Sequence, residues 1–327
     1  MKKIRNWLIL LLLVVTVFTA SLMIGKNLFT ITDILNVVSG ASSAAKKLTF
    51  WDFRFPRSLL ALIGGFGIAV SGFLLQGITR NDLADSSILG INSGAGLLVM
   101  VYLGFYAQAA SWLLPIWAIA GGFLAAAFVV FFAFQPRSRL SMTKVLLTGI
   151  AVNSGLSALT LLVTVQLSKE RYQFVATWLA GSLWGTNWKS IGILLPIVIL
   201  LVLLAVIRTP ILNYLSLGEE QAVSLGVNVV KERLIFLALA VALAASCVAF
   251  TGSLAFVGLL SPHIAKSLLQ KESRESLLLS GIIGSLLVMI ADILGRIILS
   301  SGEIPAGIII SLIGAPYFLW LLLRKKV

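Results

Sequence analysis

Ten apolar stretches follow one another along this chain, at roughly 7–25, 56–78, 87–106, 112–134, 142–167, 190–207, 233–250, 254–269, 276–299 and 304–323. Most reach the roughly 20 residues that a helix needs to cross a bilayer. Hydrocarbon offers the backbone no partners, so a spanning segment must satisfy its own hydrogen bonds as a helix or in a closed barrel. Runs this continuous lack the two-residue alternation of barrel strands. The chain is therefore expected to be an all-α integral membrane protein of about ten transmembrane helices. Composition agrees: 59% of the 327 residues are hydrophobic and 11% are charged, against roughly 25% charged in soluble domains. Pro262 and His263 interrupt the eighth stretch, which predicts a short or tilted helix. The first follows Lys2, Lys3 and Arg5 like a signal peptide, but its apolar run is too long and lacks a persuasive cleavage site, so it reads as a retained helix.

Lys and Arg set the orientation. With both termini inside, about sixteen basic residues fall on the inner side and about nine on or near the outer one, which favours cytoplasmic termini. Trp51, Trp112, Trp178, Trp184 and Trp188 then fall near the outer boundary, with Trp7 and Trp320 near the inner, where indole rings prefer to sit. The formal charge of +13 follows from this bias and from attraction to anionic headgroups, so nucleic-acid binding is not expected. Cys247 is alone within an apolar helix, which excludes a disulfide framework or a cysteine metal site.

The chain reads as one membrane domain over 1–327. Its longer polar pieces are 26–55 and 168–189 outside and about 208–232 inside. No GxxxxGK[ST] phosphate loop occurs, so any dependence on ATP must come from another polypeptide. In the fifth stretch Gly149, Asn153, Ser154 and Ser157 belong to a run of small residues. Such residues let another backbone approach, or form the weakly polar wall of a path.

Several local patterns carry chemistry. Arg54-Phe-Pro-Arg57 opens the second helix with Pro56 in its first turn; the two arginines suit a partner's carboxylates or lipid headgroups. In Gln76-Gly-Ile-Thr-Arg-Asn-Asp-Leu-Ala-Asp85, the carboxylates Asp82 and Asp85 beside Arg80 suit helix capping better than metal binding. Leu217-Gly-Glu-Glu-Gln-Ala-Val-Ser-Leu-Gly226 reads as a short amphipathic helix between Gly218 and Gly226, with a solvated loop as the alternative. Asp292 and Arg296 lie four apart, so they share a helix face and can form an ion pair of functional or structural purpose. His263 is the one histidine, and without neighbouring Cys, Asp or Glu it makes a poor metal ligand.

Taken in order, the series RxPR (54–57), QxxTRNxLAD (76–85), LGxxxAxxLG (217–226), FVGLxxPH (256–263), ADxxxR (291–296) and EIPAGIxxxxxGAPYF (303–318) resembles the membrane subunits of bacterial iron-siderophore, haem and cobalamin ABC importers, the type II importer permeases. The resemblance spans essentially the whole chain. Asp82 and Ser86 stand where many members have proline or glycine, and Lys266 where arginine is common.

The resemblance implies the type II ABC importer permease fold, a bacterial plasma-membrane location and import of an iron(III)-siderophore complex, with haem or cobalamin as the alternative cargo. It implies no cofactor, no bound metal and no catalytic residues in this subunit. Its implied partners are two cytoplasmic ATP-binding subunits, an extracytoplasmic substrate-binding protein and a second permease subunit, identical or related. By the same analogy Arg54, Arg57 and Arg296 form the pocket that receives acidic knobs of the binding protein. Leu217, Gly218, Glu219, Glu220, Ala222, Leu225 and Gly226 form the element that docks on the ATPase. An ion-coupled secondary transporter would need ionisable groups near the bilayer centre, and few exist; a membrane-embedded enzyme would need a nucleophile or histidine set that is missing.

Overall fold

A computed structural model describes residues 2–25, 27–106, 110–133, 141–269 and 273–324. Among them there is no strand. The helices run α1 (Lys2–Met23), α2 (Ile31–Val38), α3 (Ala44–Leu48), α4 (Phe55–Thr79), α5 (Ile91–Phe105), α6 (Leu114–Ala133), α7 (Met142–Thr164), α8 (Lys169–Leu179), α9 (Trp188–Leu217), α10 (Glu219–Ser224), α11 (Val229–Thr251), α12 (Val257–Leu269), α13 (Arg274–Ile297) and α14 (Ala306–Arg324). A π-helical turn, Thr49–Arg54, joins α3 to α4.

Six helical spans are long and apolar enough to cross a membrane: Ala44–Thr79, which ends in α4, and those of α6, α7, α9, α11 and α13. Trp7–Met23, Ile91–Phe105 and Ala306–Trp320 are shorter apolar helices. With the 13-residue α12, these match the ten apolar stretches in number and order. The eighth stretch is indeed short. Two boundaries differ from expectation: α5 starts only at Ile91, after a 3-10 turn over Ser86–Leu89, and α9 runs for 30 residues to Leu217. Its Pro196 and Pro210 remove single donors from the ladder without ending the helix.

Helix α4 is the centre of the bundle, packed by α9, α11, α12 and α13. Small residues make this possible. A Cβ on Gly72 would sit inside contact distance of the Gly258 carbonyl, and Gly65 and Gly284 stand in the same relation across α4 and α13. Backbones that close gain dispersion contacts on both sides, the main association force where lipid and side chain are equally apolar. The outer helices are the reverse case: Leu147, Ile150, Leu161 and Leu162 of α7 and Leu312 and Leu323 of α14 point away from the bundle.

Between α11 and α12 the chain leaves helical geometry from Gly252 to Phe256, alongside the middle turns of α4: Thr251 meets Gly64 and Gly258 meets Gly72. Non-helical backbone at that depth is tolerated where protein covers it. The cover is the C-terminal end of α8, whose Trp178 carbonyl lies where a Cβ on Gly252 (φ +69°) would stand. The Gly307 N–H closes the same seam by donating to the Gly181 carbonyl at 3.0 Å.

Candidate functional site

Two ends of the bundle carry the polar constellations. At the end opposite the described termini, α1, α4, α13 and the start of α14 bring together charged residues that lie far apart in sequence. Arg57 Nε donates to Asp292 Oδ1 at 2.9 Å, and its Nη1 donates to Glu303 Oε2 at 2.7 Å. Arg296 Nη2 lies 3.2 Å from Asp292 Oδ2 and donates to the Ser21 hydroxyl at 2.9 Å, while Nη1 donates to the Ser21 carbonyl at 3.1 Å. Arg54 spends its guanidinium on the carbonyls of Leu22, Met23 and Asn27, the last turn and exit of α1, and stacks 4.2 Å over the Phe29 ring.

All three arginines line one cavity of about 510 Å³, together with Asp52, Trp184 and Glu303. They differ in what they offer to it. Arg54 and Arg296 are buried, at 7% and 6% exposure, and hold α1 against α4 and α13. Asp292, only 1% exposed, is compensated by two guanidinium groups. A buried carboxylate needs that pairing, because an uncompensated charge costs several kcal/mol. Sequence reasoning passed over Glu303 and Ser21 as partners. Glu303 had a visible signal, being an acidic residue at the mouth beside Pro305; a serine inside an apolar helix such as Ser21 gives none.

Aromatic rings frame this mouth. Trp188 Nε1 donates to the Trp51 carbonyl at 2.9 Å, and Phe55 packs against both rings, with centroids 5.3 Å and 5.6 Å away. Nearby, α2 begins with a capping box of Thr30 and Asp33. Lys46, at 2.5 Å, and then Thr30 hold the Asp33 carboxyl below the usual carboxylate range.

The opposite end holds α10. Gly218 (φ +134°) ends α9, and Gly226 (φ +82°) turns the chain into α11, which Asn228 caps by accepting from Lys231 N at 3.1 Å. Ala222 is fully buried against the body, whereas Leu217, Val223 and Leu225 are each more than half exposed. The two glutamates separate: Glu219 faces Arg233 of α11 at 3.4 Å, and Glu220 points outward. Arg80, the left-handed C-cap of α4, donates to the Leu215 carbonyl and so ties the 80–90 loop to the end of α9.

The small residues of α7 divide as well. Gly149 lets the helix pack on the Ile88 carbonyl. Asn153 accepts from Ser93 Oγ at 2.5 Å, Ser154 bonds back to the Ile150 carbonyl at 3.0 Å, and Ser157 lines a cavity of about 340 Å³ with Asn92, Thr160 and Ser253. His263 Nδ1 lies 3.1 Å from the Tyr317 hydroxyl of α14. Among the described residues no group of three His, Cys, Asp or Glu side chains converges as a metal site would require.

The FecCD transport family matches residues 11–324. The chain is 39% identical to the iron(3+)-hydroxamate import system permease protein FhuG of Bacillus subtilis (strain 168) over 322 residues, 96% of this chain and 95% of that protein. It is 38% identical to the Fe(3+) dicitrate transport system permease protein FecD of Escherichia coli (strain K12), covering 84% of this chain and 85% of that one. A solved inward-facing metal-chelate type ABC transporter superposes with a TM-score of 0.86 at 29% identity, over 98% of this chain and 99% of the other. A family match over nearly the full length, on an all-helical bundle of this order, makes the chain a bacterial multi-pass membrane protein of the FecCD transport family, an ABC importer permease subunit.

Proposed function

We propose that this subunit carries an iron(III)-siderophore complex across the bacterial plasma membrane, with both termini in the cytoplasm and 1–327 acting as one permease domain. The observation that carries the reading is the near full-length relation to a permease named for iron(3+)-hydroxamate import. ATP hydrolysis then belongs to separate cytoplasmic subunits, which engage the exposed apolar face of Leu217, Val223 and Leu225 within the 208–232 segment. Fixing that face are Ala222, the Glu219–Arg233 pair and the two glycine breaks, so a push on α10 moves α9 rather than bending a loop.

Helix α9 gives that push a lever. Thirty residues at about 1.5 Å each span about 45 Å, from the coupling segment to Trp188 at the far mouth. There Trp188 binds the turn that carries Arg54 and leads into the first turn of α4, which carries Arg57. The arginine cavity is the landing site of an extracytoplasmic binding protein: Arg57 meets the acidic knob, and Arg54 and Arg296 set the position of its helix. A second permease subunit covers part of the exposed apolar surface of α7 and α14, and lipid covers the rest.

The test is reconstitution of this subunit with its ATP-binding and second permease subunits in proteoliposomes. Addition of a binding protein loaded with radioactive ferric trihydroxamate should give uptake that requires enclosed ATP and is stopped by vanadate. Uptake driven by a proton gradient without ATP would overturn the reading.

A further inference from the structure

Behind the arginine cavity, and sharing Trp184 with it, lies a second cavity of about 330 Å³ along α8. Glu170, Gln173 and Thr177 recur at the three- and four-residue spacing of one helix face and are exposed. Aromatic rings from Phe174, Trp178 and Trp184 make the rest of its wall. Leu179, the residue after Trp178 on α8, lines the cavity that also holds Asn92, Ser157 and Ser253. The arginine and α8 cavities thus meet at Trp184, and the third lies against the next residue of α8 after Trp178. A ligand at the arginine cavity lies beside the α8 cavity, across Trp184.

The charge of this cavity is specific. Among the described residues its lining contains one ionisable group, Glu170, and no lysine or arginine. The adjacent Arg171 is turned to the other side of α8, where it donates to the Leu103 carbonyl. Glu170 is ionised at neutral pH: its own backbone N–H at the start of α8 and then the Ser168 hydroxyl hold its carboxyl below the usual range. Gln173 contributes an exposed amide that both donates and accepts, and the indole and phenyl faces take an apolar or cationic edge of a ligand.

We propose that this cavity is an entry subsite for the cargo and that it selects by charge, admitting ferric chelates of zero or positive net charge, the trihydroxamate class, over anionic catecholate or hydroxycarboxylate chelates. The proposal rests on the importer reading above and narrows its substrate class. Glu170 repels an anionic chelate at a lining whose described residues include no lysine or arginine. Gln173 and Thr177 meet the amide and hydroxamate oxygens, and the aromatic wall packs the chelate backbone. At about 330 Å³ the cavity lies at the small end for organic ligands and takes one edge of the chelate.

The experiment uses one linear ferric trihydroxamate whose terminal amine is left protonated, N-acetylated or N-succinylated, so that denticity is constant while charge runs from positive through neutral to negative. Uptake of each by the complete reconstituted importer is measured from saturating loaded binding protein, beside a ferric catecholate and ferric citrate, and read as ratios within one preparation. The wild type should favour the amine and acetyl forms; Glu170→Gln should flatten the series, and Glu170→Lys should shift the amine-to-succinyl ratio about tenfold toward the anion. Should Glu170→Lys not assemble, the flattening by Glu170→Gln decides. A wild type that prefers anionic chelates, or a ratio unmoved by either substitution, overturns the proposal while leaving the importer reading intact. Import of no ferric chelate of any kind removes both.

Discussion

Arg57 and Asp292, 235 positions apart, are joined by a 2.9 Å hydrogen bond from Nε to Oδ1, and a second guanidinium nitrogen, Nη2, lies 2.8 Å from the same oxygen. This pair fixes α4 to α13 at the mouth, and Glu303 extends it to the approach to α14. The arginine therefore has a structural duty besides whatever it offers a partner.

Substitutions at Arg57 should separate the two duties. Arg57→Ala leaves Asp292 with Arg296 alone, and loss of one partner from a buried pair costs about 3–5 kcal/mol. Thermal unfolding of the detergent-solubilised protein should drop accordingly. Glu303→Gln breaks only the more exposed contact and should cost under about 1 kcal/mol. Because it frees a guanidinium nitrogen toward the cavity, it should strengthen cross-linking to an acidic binding protein. If Glu303→Gln and Arg57→Ala weaken that cross-link equally, Arg57 is not the docking group.

Gly72 should tolerate no side chain. Its Cβ would meet the Gly258 carbonyl at the crossing of α4 and α12, so Gly72→Ala forces two backbones apart and should destabilise by about 1–3 kcal/mol. Gly192 of α9 has open space around its Cβ position. There the same substitution removes only the helix penalty of glycine and should be neutral or stabilising by up to about 1 kcal/mol. Equal melting temperatures for the two variants would contradict the crossing.

These contrasts mark what was legible in the residues. The number and order of the ten apolar helices followed from apolar length, whereas α2, α3 and α8 lie in stretches that read only as polar pieces. The eighth helix is short as its stretch implied, but Pro262 lies inside it and does not end it; the non-helical backbone before Val257 sets its start. Helix ends were less legible: α9 continues through Arg208 and Pro210, since Arg208 is paired with Glu232 at 2.9 Å and its charge no longer marks a boundary. Arg54, Arg57 and Arg296 were nominated through motifs, yet that Arg54 and Arg296 turn into carbonyls of α1 depends on where α1 packs, and no local pattern records that. The α8 cavity escaped notice for a similar reason. Its polar residues look like any solvated helix face until α11 supplies Phe250 behind them.

The coupling reading predicts a division within the 217–226 segment. Leu225→Glu places a charge on the exposed apolar face and should cut co-purification of the ATP-binding subunits at least about tenfold, as loss of a central apolar anchor does at other interfaces. Glu220→Ala, also at an exposed position, should change it less than about threefold, because rim charges contribute little. Pull-down from membranes at fixed permease level reads both, and the reverse order would assign the contact to charge.

His263 tests whether the path holds metal. Its Nδ1 and the Tyr317 hydroxyl join α12 to α14 immediately after Pro262 and Pro316, where each helix lacks a ladder donor, so the side-chain bond supports two weak points at one level. Glutamine at 263 keeps a group that can bond a hydroxyl but is a poor ligand for iron. His263→Gln should therefore retain uptake within about threefold, whereas Tyr317→Phe removes the bond and should cost about 1 kcal/mol of stability. If His263→Gln abolishes uptake while Tyr317→Phe does not, the histidine acts through its metal affinity, and the cargo does not cross still wrapped in its chelator.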